Sequence, residues 1–201
     1  NWPEARLSHI LKELNSDVVL LPDNGSVRTD FFDLQTIRVD VDNLLKSLDN
    51  NFKCVPSLSS DALYIVFTSG SSGKPKGVII PHLTISNLIQ HQINNTGINC
   101  CNRVLQYSEN TFDVFIQEVF SSLLSGGELV MLPNQIKTDI VALLKFIEEK
   151  CINTLFLPPA IMELLSSISP ILNSFPKCVQ HIICSGDKLY INDRFKLFLQ
   201  E

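Results

Sequence analysis

The sequence is poor in charge, and what charge it has is scattered. Only 18% of the 201 residues are Asp, Glu, Lys or Arg, and the formal net charge is −5. No cluster of Lys and Arg forms a basic stripe, so the broad attraction for a phosphate backbone is missing and nucleic acid is not expected as a partner. Long apolar runs are missing too: none approaches the roughly twenty residues that a membrane-crossing helix needs. The N-terminal NWPEARL lacks the basic-then-apolar pattern of a signal peptide. A cytoplasmic protein without membrane association is therefore expected. The six cysteines include no C-x-x-C pair and no histidine at ligand spacing beside them, which argues against a zinc site and for reduced, mostly buried thiols.

What the chain does have is apolar material. A hydrophobic fraction of 45% is that of a globular protein, with enough length for one sizeable core or two small ones. Apolar residues at Leu7, Ile10, Leu11 and Leu14 predict a helix over 4–15, and 17–21 reads as a short strand. An Asn24-Gly25 turn follows. A strand is expected at 36–39, and Asp40 is expected to cap a helix carrying Leu44, Leu45 and Leu48. Val55 to Ser60, serine-rich around Pro56, marks a weak subdomain boundary.

From Ala62 onward the pattern sharpens. Residues 63–67 form a continuous apolar strand, 68–77 a Gly/Ser/Lys loop, and 78–80 a resumed strand. Helices are expected at 83–94, 114–124, 140–149, after Pro158-Pro159, and at the end around Phe195, Leu197, Phe198 and Leu199. Strands are expected between them at 103–107, 128–132, 154–157 and 179–184. This alternation predicts an α/β fold with mainly parallel sheets flanked by helices.

The loop TSGSSGKPKG is chemically suited to an anion. Gly70, Gly73 and Gly77 let the backbone approach a ligand and expose amide N–H groups. Thr68, Ser69, Ser71 and Ser72 add hydroxyls, and Lys74 and Lys76 add positive charge around Pro75. It is not a Walker A loop, because Gly70 and Gly73 are too close and no Ser or Thr follows the lysine. The same composition also suits a solvated surface loop. Downstream, Asp113, Gln117 and Ser121 recur at i, i+4 along 114–124 on a different face from Ile116, Val119, Phe120 and Leu123. Asp113 also stands where a helix cap would.

TSGSSGKPKG, preceded by LYIVF and followed by GVIIPH, closely resembles the phosphate-binding signature of adenylate-forming enzymes. The segment WPEARLSHILKELNSDVVLL is similar to the helix and strand that precede it in amino-acid adenylation domains. The resemblance covers nearly the whole of 1–201, most weakly at 27–60, and is to the N-terminal part of a nonribosomal peptide synthetase adenylation domain. It implies a partial AMP-binding domain without its C-terminal subdomain. It also implies a reaction in which a carboxylate attacks the α-phosphate of ATP in the presence of Mg²⁺, releasing pyrophosphate. On that basis Thr68, Ser69, Gly70, Ser71, Ser72, Gly73, Lys74, Lys76 and Gly77 would bind the ATP phosphates. No complete catalytic set is expected: the Tyr-Gly-Pro-Thr-Glu segment with its Mg²⁺-holding Glu, the ribose-binding Thr-Gly-Asp segment and the C-terminal lysine all lie beyond Glu201. The polypeptide alone is therefore expected to be nearly inactive.

FDVFIQEVFSSLLSGGELVML resembles the segment in which an Asp after Phe pairs with a substrate α-ammonium. That position is Asp113, and an unpaired buried carboxylate would be costly without such a partner. By the same resemblance Gln117, Phe156, Ile183, Ser185 and Gly186 would line the substrate cavity, with Phe115 standing where many relatives carry Ser. The implied partners are ATP, an amino acid and a phosphopantetheinyl carrier protein. An acyl-CoA or aryl-CoA ligase would share the loop without needing Asp113, and a truncated, non-catalytic nucleotide-binding module would keep only the loop. His82 is expected to cap or pack. His9, His91 and His181 look incidental.

Overall fold

The computed structural model describes residues 3–23, 34–40, 55–69, 74–95, 102–167 and 175–190, with isolated positions at 43, 46, 53, 98, 192, 193 and 196. They fall into two compact units, 1–82 and 83–201, and the stretch 55–60 lies inside the first.

In the first unit, helix α1 (Glu4–Leu14) follows Pro3 and buries Ile10. It ends at Asn15 in the left-handed region, φ 47°, a conformation that Asn tolerates better than most residues. Strand β1 (Val18–Pro22) pairs in parallel with β2 (Gln35–Val39). The side chain of Asp40 accepts the N–H of Asn43 at 3.1 Å, the capping bond expected of it, and Asn43 and Lys46 are helical. Leu44, Leu45 and Leu48 lie outside the described residues, as does the Asn24-Gly25 turn.

Strands β3 (Ala62–Ser69) and β4 (Pro75–Pro81) form an antiparallel hairpin, and α1 packs against β4. The expected ten-residue loop is thereby corrected: Thr68 pairs with Lys76 and Ser69 with Pro75, so the connection shrinks to 70–74. Cross-strand hydrogen bonding recruits residues whose Pro, Lys and Gly composition reads as loop. Gly77 stands opposite Phe67, and a Cβ there would lie 3.2 Å from the Phe67 ring.

The second unit opens with α2 (His82–Asn95), which buries Ile85 and Ile89. It continues through β5 (Arg103–Gln106), α3 (Asp113–Leu124), β6 (Glu128–Met131), α4 (Ile140–Glu149), β7 (Thr154–Leu157), α5 (Pro159–Ser167) and β8 (His181–Cys184). The four strands form one all-parallel sheet in the order β6-β5-β7-β8. Asp139 caps α4, accepting the N–H groups of Val141 and Ala142 at 3.0 and 3.1 Å. The expected last helix falls outside the described residues except for helical positions at Asp193 and Lys196.

One face of this sheet carries the core. Leu105, Leu155 and Leu157 pack with Leu143, Leu144 and Ile147 of α4 and Met162 and Leu165 of α5, with Val130, Ile182 and Cys184 against them. By strand alternation Val104, Gln106, Phe156 and Ile183 project from the other face, where α3 packs on β5 and β6.

The buried stripe of α3 differs from expectation. It consists of Glu118, Ser121 and Ser122, whereas Leu123 of the apolar set is 57% exposed. The serine hydroxyls donate to the Glu118 carbonyl one turn back, at 3.3 and 3.0 Å. Their polarity is satisfied within the helix, and their small size lets the helix sit close to the strands. The cysteines also differ: Cys151 is exposed and Cys178 and Cys184 are half-buried. Burial raises the thiol pKa of both Cys178 and Cys184, which keeps them protonated and unreactive.

The amino-terminal edge of the sheet is cross-linked. Arg103 reaches Glu128 with Nε (2.8 Å) and the Lys150 carbonyl with Nη1 (2.6 Å), while its N–H donates to the Asn153 side chain at 2.9 Å. At the same edge the N–H of Glu128 donates to the Asn102 carbonyl at 2.8 Å, directly beside Gly127. A Cβ on Gly127 would lie 2.5 Å from that carbonyl oxygen, a clash with backbone that no rotamer relieves. Gly127→Ala is expected to destabilise the fold by about 1–3 kcal/mol, read as a lower urea midpoint at unchanged slope.

Candidate functional site

Two sets of chemistry-bearing residues emerge, one in each unit. In the first, the β3–β4 hairpin places Thr68 opposite Lys76, so their side chains leave the same face of the ribbon, and Lys74 stands just before β4. Thr68, Lys74 and Lys76 are all exposed. The Thr68 hydroxyl lies 3.5 Å from the Lys76 carbonyl, at the outer limit of hydrogen bonding. A hydroxyl and two ammonium groups near one hairpin tip form a donor set that fits phosphate oxygens. Ser69 closes β3, and Gly70, Ser71, Ser72 and Gly73 lie outside the described residues. Gly77 has a packing role against Phe67. His9, which looks incidental in sequence, brings Nε2 to 3.3 Å from the Pro75 carbonyl and so tethers the strand between the two lysines to α1. His82 begins α2, and its N–H donates to the Asp61 carbonyl at 3.0 Å.

In the second unit, chain direction creates the site. The chain leaves β5 for α3 on one face of the sheet and leaves β7 for α5 on the other. Such a divergence opens a crevice at the carboxyl ends of adjacent parallel strands. Phe156, 1% exposed, pairs with Ile183 across β7 and β8, so the two project from the same face. Ser185 and Gly186 follow β8 at that edge, both exposed, with Gly186 at φ +99°. Asp113 is the first residue of α3 and Gln117 sits one turn on, half-buried. The register thus sets Phe156 beside Ile183 at the carboxyl edge, while Asp113 heads the helix that follows β5.

Asp113 is exposed, so the burial cost assigned to it from sequence is corrected. Phe112 is the N-cap, without a side-chain capping bond. Asp113 sits just inside, where the helix dipole favours a negative charge, and its Oδ1 accepts the neighbouring Val114 N–H at 2.9 Å. Asp113 has no cationic partner among the described residues.

The buried carboxylate of α3 is instead Glu118, which the sequence pattern alone did not single out. It is 0% exposed. Its Oε1 accepts the N–H groups of Tyr107 at 3.2 Å and Ser108 at 2.9 Å, and its Oε2 accepts the Ser108 N–H at 3.2 Å. Burial raises its pKa, and the bonds from Ser108, Tyr107 and the Gln106 side chain oppose that rise without cancelling it. The available signal was an acid set within the apolar run FIQEVF.

Beside this contact a cavity of about 260 Å³ is lined by Gln106, Tyr107, Ser108, Phe115, Met131 and Lys137, among others. Neither Asp113 nor Gln117 lines it. Lys137 pairs with Glu109 and lies 5.2 Å from the Tyr107 ring centroid, and the hydrogen bond from Lys137 holds the Glu109 carboxyl below its ordinary pKa. No group of three or more His, Cys, Asp or Glu suited to a metal ion occurs among the described residues. No helix among them is long and apolar enough to cross a membrane.

A doubly wound sheet with a crevice at its carboxyl edge, preceded by a Gly/Ser/Lys hairpin, defines an α/β nucleotide-using class. The chain belongs to the AMP-binding enzyme family, whose model matches residues 1–193; this is the family of adenylate-forming ligases. It is 34% identical over 201 residues to gramicidin S synthase 2 of Brevibacillus brevis, and 38% identical over 141 residues to tyrocidine synthase 2 of Brevibacillus parabrevis. These matches cover 100% and 70% of this chain, yet only 4% of either relative's length. Among solved structures it is similar to NpsA-ThdA, an artificially fused adenylation-PCP di-domain from Klebsiella oxytoca. That match has a TM-score of 0.79 at 25% identity and covers 98% of this chain and 38% of that one.

The raised pKa of Glu118 fixes the sign of a pH effect. The folded state holds this proton more tightly than the unfolded state, so the carboxyl's contribution falls as pH rises from its ordinary value near 4.5 through the raised one. Wild type is therefore expected to lose stability relative to Glu118→Gln as pH climbs above 4.5, whatever the offset between the two at low pH. Paired denaturation curves between pH 4 and 8 measure it.

Proposed function

We propose that this chain is part of an amino-acid adenylation domain of the nonribosomal peptide synthetase type. It would serve the reaction of an amino-acid carboxylate with ATP to give aminoacyl-AMP and pyrophosphate, for loading onto the thiol of a phosphopantetheinyl carrier domain. The observation that carries the amino-acid reading is Asp113, an exposed carboxylate at the head of α3 whose hydrogen bond is to its neighbour's N–H. That geometry leaves it free to meet an α-ammonium group. Gln117, Phe156, Ile183, Ser185 and Gly186 would bound the substrate side chain. Thr68, Ser69, Ser71, Ser72, Lys74 and Lys76, with the glycines 70, 73 and 77, would hold the ATP phosphates; the lysines offset charge on the departing pyrophosphate. No described residue is assigned to Mg²⁺.

Within an enzyme containing this chain, ATP–pyrophosphate exchange is expected with one or a few α-amino acids and not with fatty or aryl acids. Exchange driven by the latter would favour an acyl-CoA or aryl-CoA ligase. Asp113→Ala is expected to lower kcat/KM for the amino acid roughly a hundredfold. Lys76→Ala is expected to weaken ATP binding by about ten- to a hundredfold, read by calorimetry or by ATP-dependent thermal protection. Residues 1–201 contain no Tyr-Gly-Pro-Thr-Glu or Thr-Gly-Asp segment, and the 201-residue chain alone is expected to give little or no exchange.

A further inference from the structure

Among the described residues, Glu118 is the one charged side chain shut off from solvent. Nothing in the proposed reaction uses it. A sealed carboxylate is a poor proton shuttle, and it lies one helical turn and more past the residue proposed to meet substrate. Its partners are instead the N–H groups of Tyr107 and Ser108, the two residues that follow β5.

The chain geometry gives those bonds a particular effect. Residues 107–112 form a short connection between β5 and α3, and Glu118 belongs to the helix that the connection feeds. When its carboxylate grips Tyr107 and Ser108, both ends of the connection are fastened to one rigid helix. Within the closed turn the N–H of Phe112 donates to the Glu109 carbonyl at 3.0 Å, and the Gln106 side chain donates to the Ser108 carbonyl. The serine stripe beneath lets α3 sit close enough to the strands for the grip to form.

We infer that Glu118 is a positioning residue for amino-acid recognition, stapling the turn that leads into Asp113 at the head of α3 so that this carboxylate is presented to the substrate ammonium in a fixed place. The inference rests on the amino-acid reading proposed above. Glu118 touches neither substrate nor ATP in this role; it acts through Asp113.

The test uses Glu118→Gln, which keeps the shape and one acceptor, and Glu118→Met, which fills the space without polar atoms. Amide hydrogen exchange on the chain is expected to speed up at Tyr107, Ser108 and the turn to Asp113, with α4 and α5 unchanged. In the exchange-competent enzyme, Glu118→Gln is expected to raise KM for the amino acid about tenfold while kcat and KM for ATP stay within about twofold. That effect should vanish in an Asp113→Ala background, because the staple acts through Asp113. Unchanged amide exchange at Tyr107 and Ser108 in either folded variant overturns the inference. So does a proportional loss in kcat and both KM values, which would mark general support of the fold, or a KM effect that persists without Asp113. If wild type itself shows no amino-acid-dependent exchange, the functional reading fails before any variant is compared, and the inference falls with it.

Discussion

A carboxylate sealed from water must find its hydrogen bonds within the protein, and much of the second unit follows from where Glu118 finds them. Burying it costs solvation, offset here by N–H groups at the carboxyl end of β5 that would otherwise need partners of their own. One contact thus satisfies strand end and helix side chain together. It fastens α3 to the residues that follow β5, and Asp113 heads that same helix. The neighbouring serines serve the same approach, since larger side chains would hold the helix off.

Much of this architecture is legible in the residues. Helix α4 and strand β7 stand where apolar periodicity places them, because Asp139 caps the helix and Leu155 and Leu157 reach a core with no competing role. Legibility fails where tertiary contact overrides composition. Pro75, Lys76 and Gly77 read as loop, yet pairing with β3 draws them into a strand. Ser121 reads as part of a polar face apart from the apolar stripe, yet it is buried with Ser122, and both hydroxyls donate within their own helix. The cost of a buried carboxylate is real, but it falls on Glu118 and not on Asp113. The linear pattern sets Glu118 within an apolar run, but the packing of α3 is what decides which of two acids five residues apart is submerged.

The two sets of candidate groups occupy separate units of the chain and rest on different physics. The hairpin offers donors from a two-stranded ribbon that His9 tethers at Pro75. The sheet edge offers a recognition surface whose geometry follows from strand register: Phe156 and Ile183 are neighbours because β7 and β8 are in parallel register at those residues. On the proposed reading, phosphate grip would come from charge and hydroxyls on an extended backbone, and recognition of the rest of a substrate from side chains whose places the core dictates.

The cross-linked amino-terminal edge has an evolutionary corollary. Arg103, Asn153 and the Asn102 carbonyl hold the strand beginnings in place, so the register does not depend on which residues stand at the far ends. Side chains at positions such as 117, 183 and 185 are then free to be exchanged by descent without unsettling the strands beneath them. If the far rim meets substrate as proposed, its side chains could change while the pinned rim keeps the register.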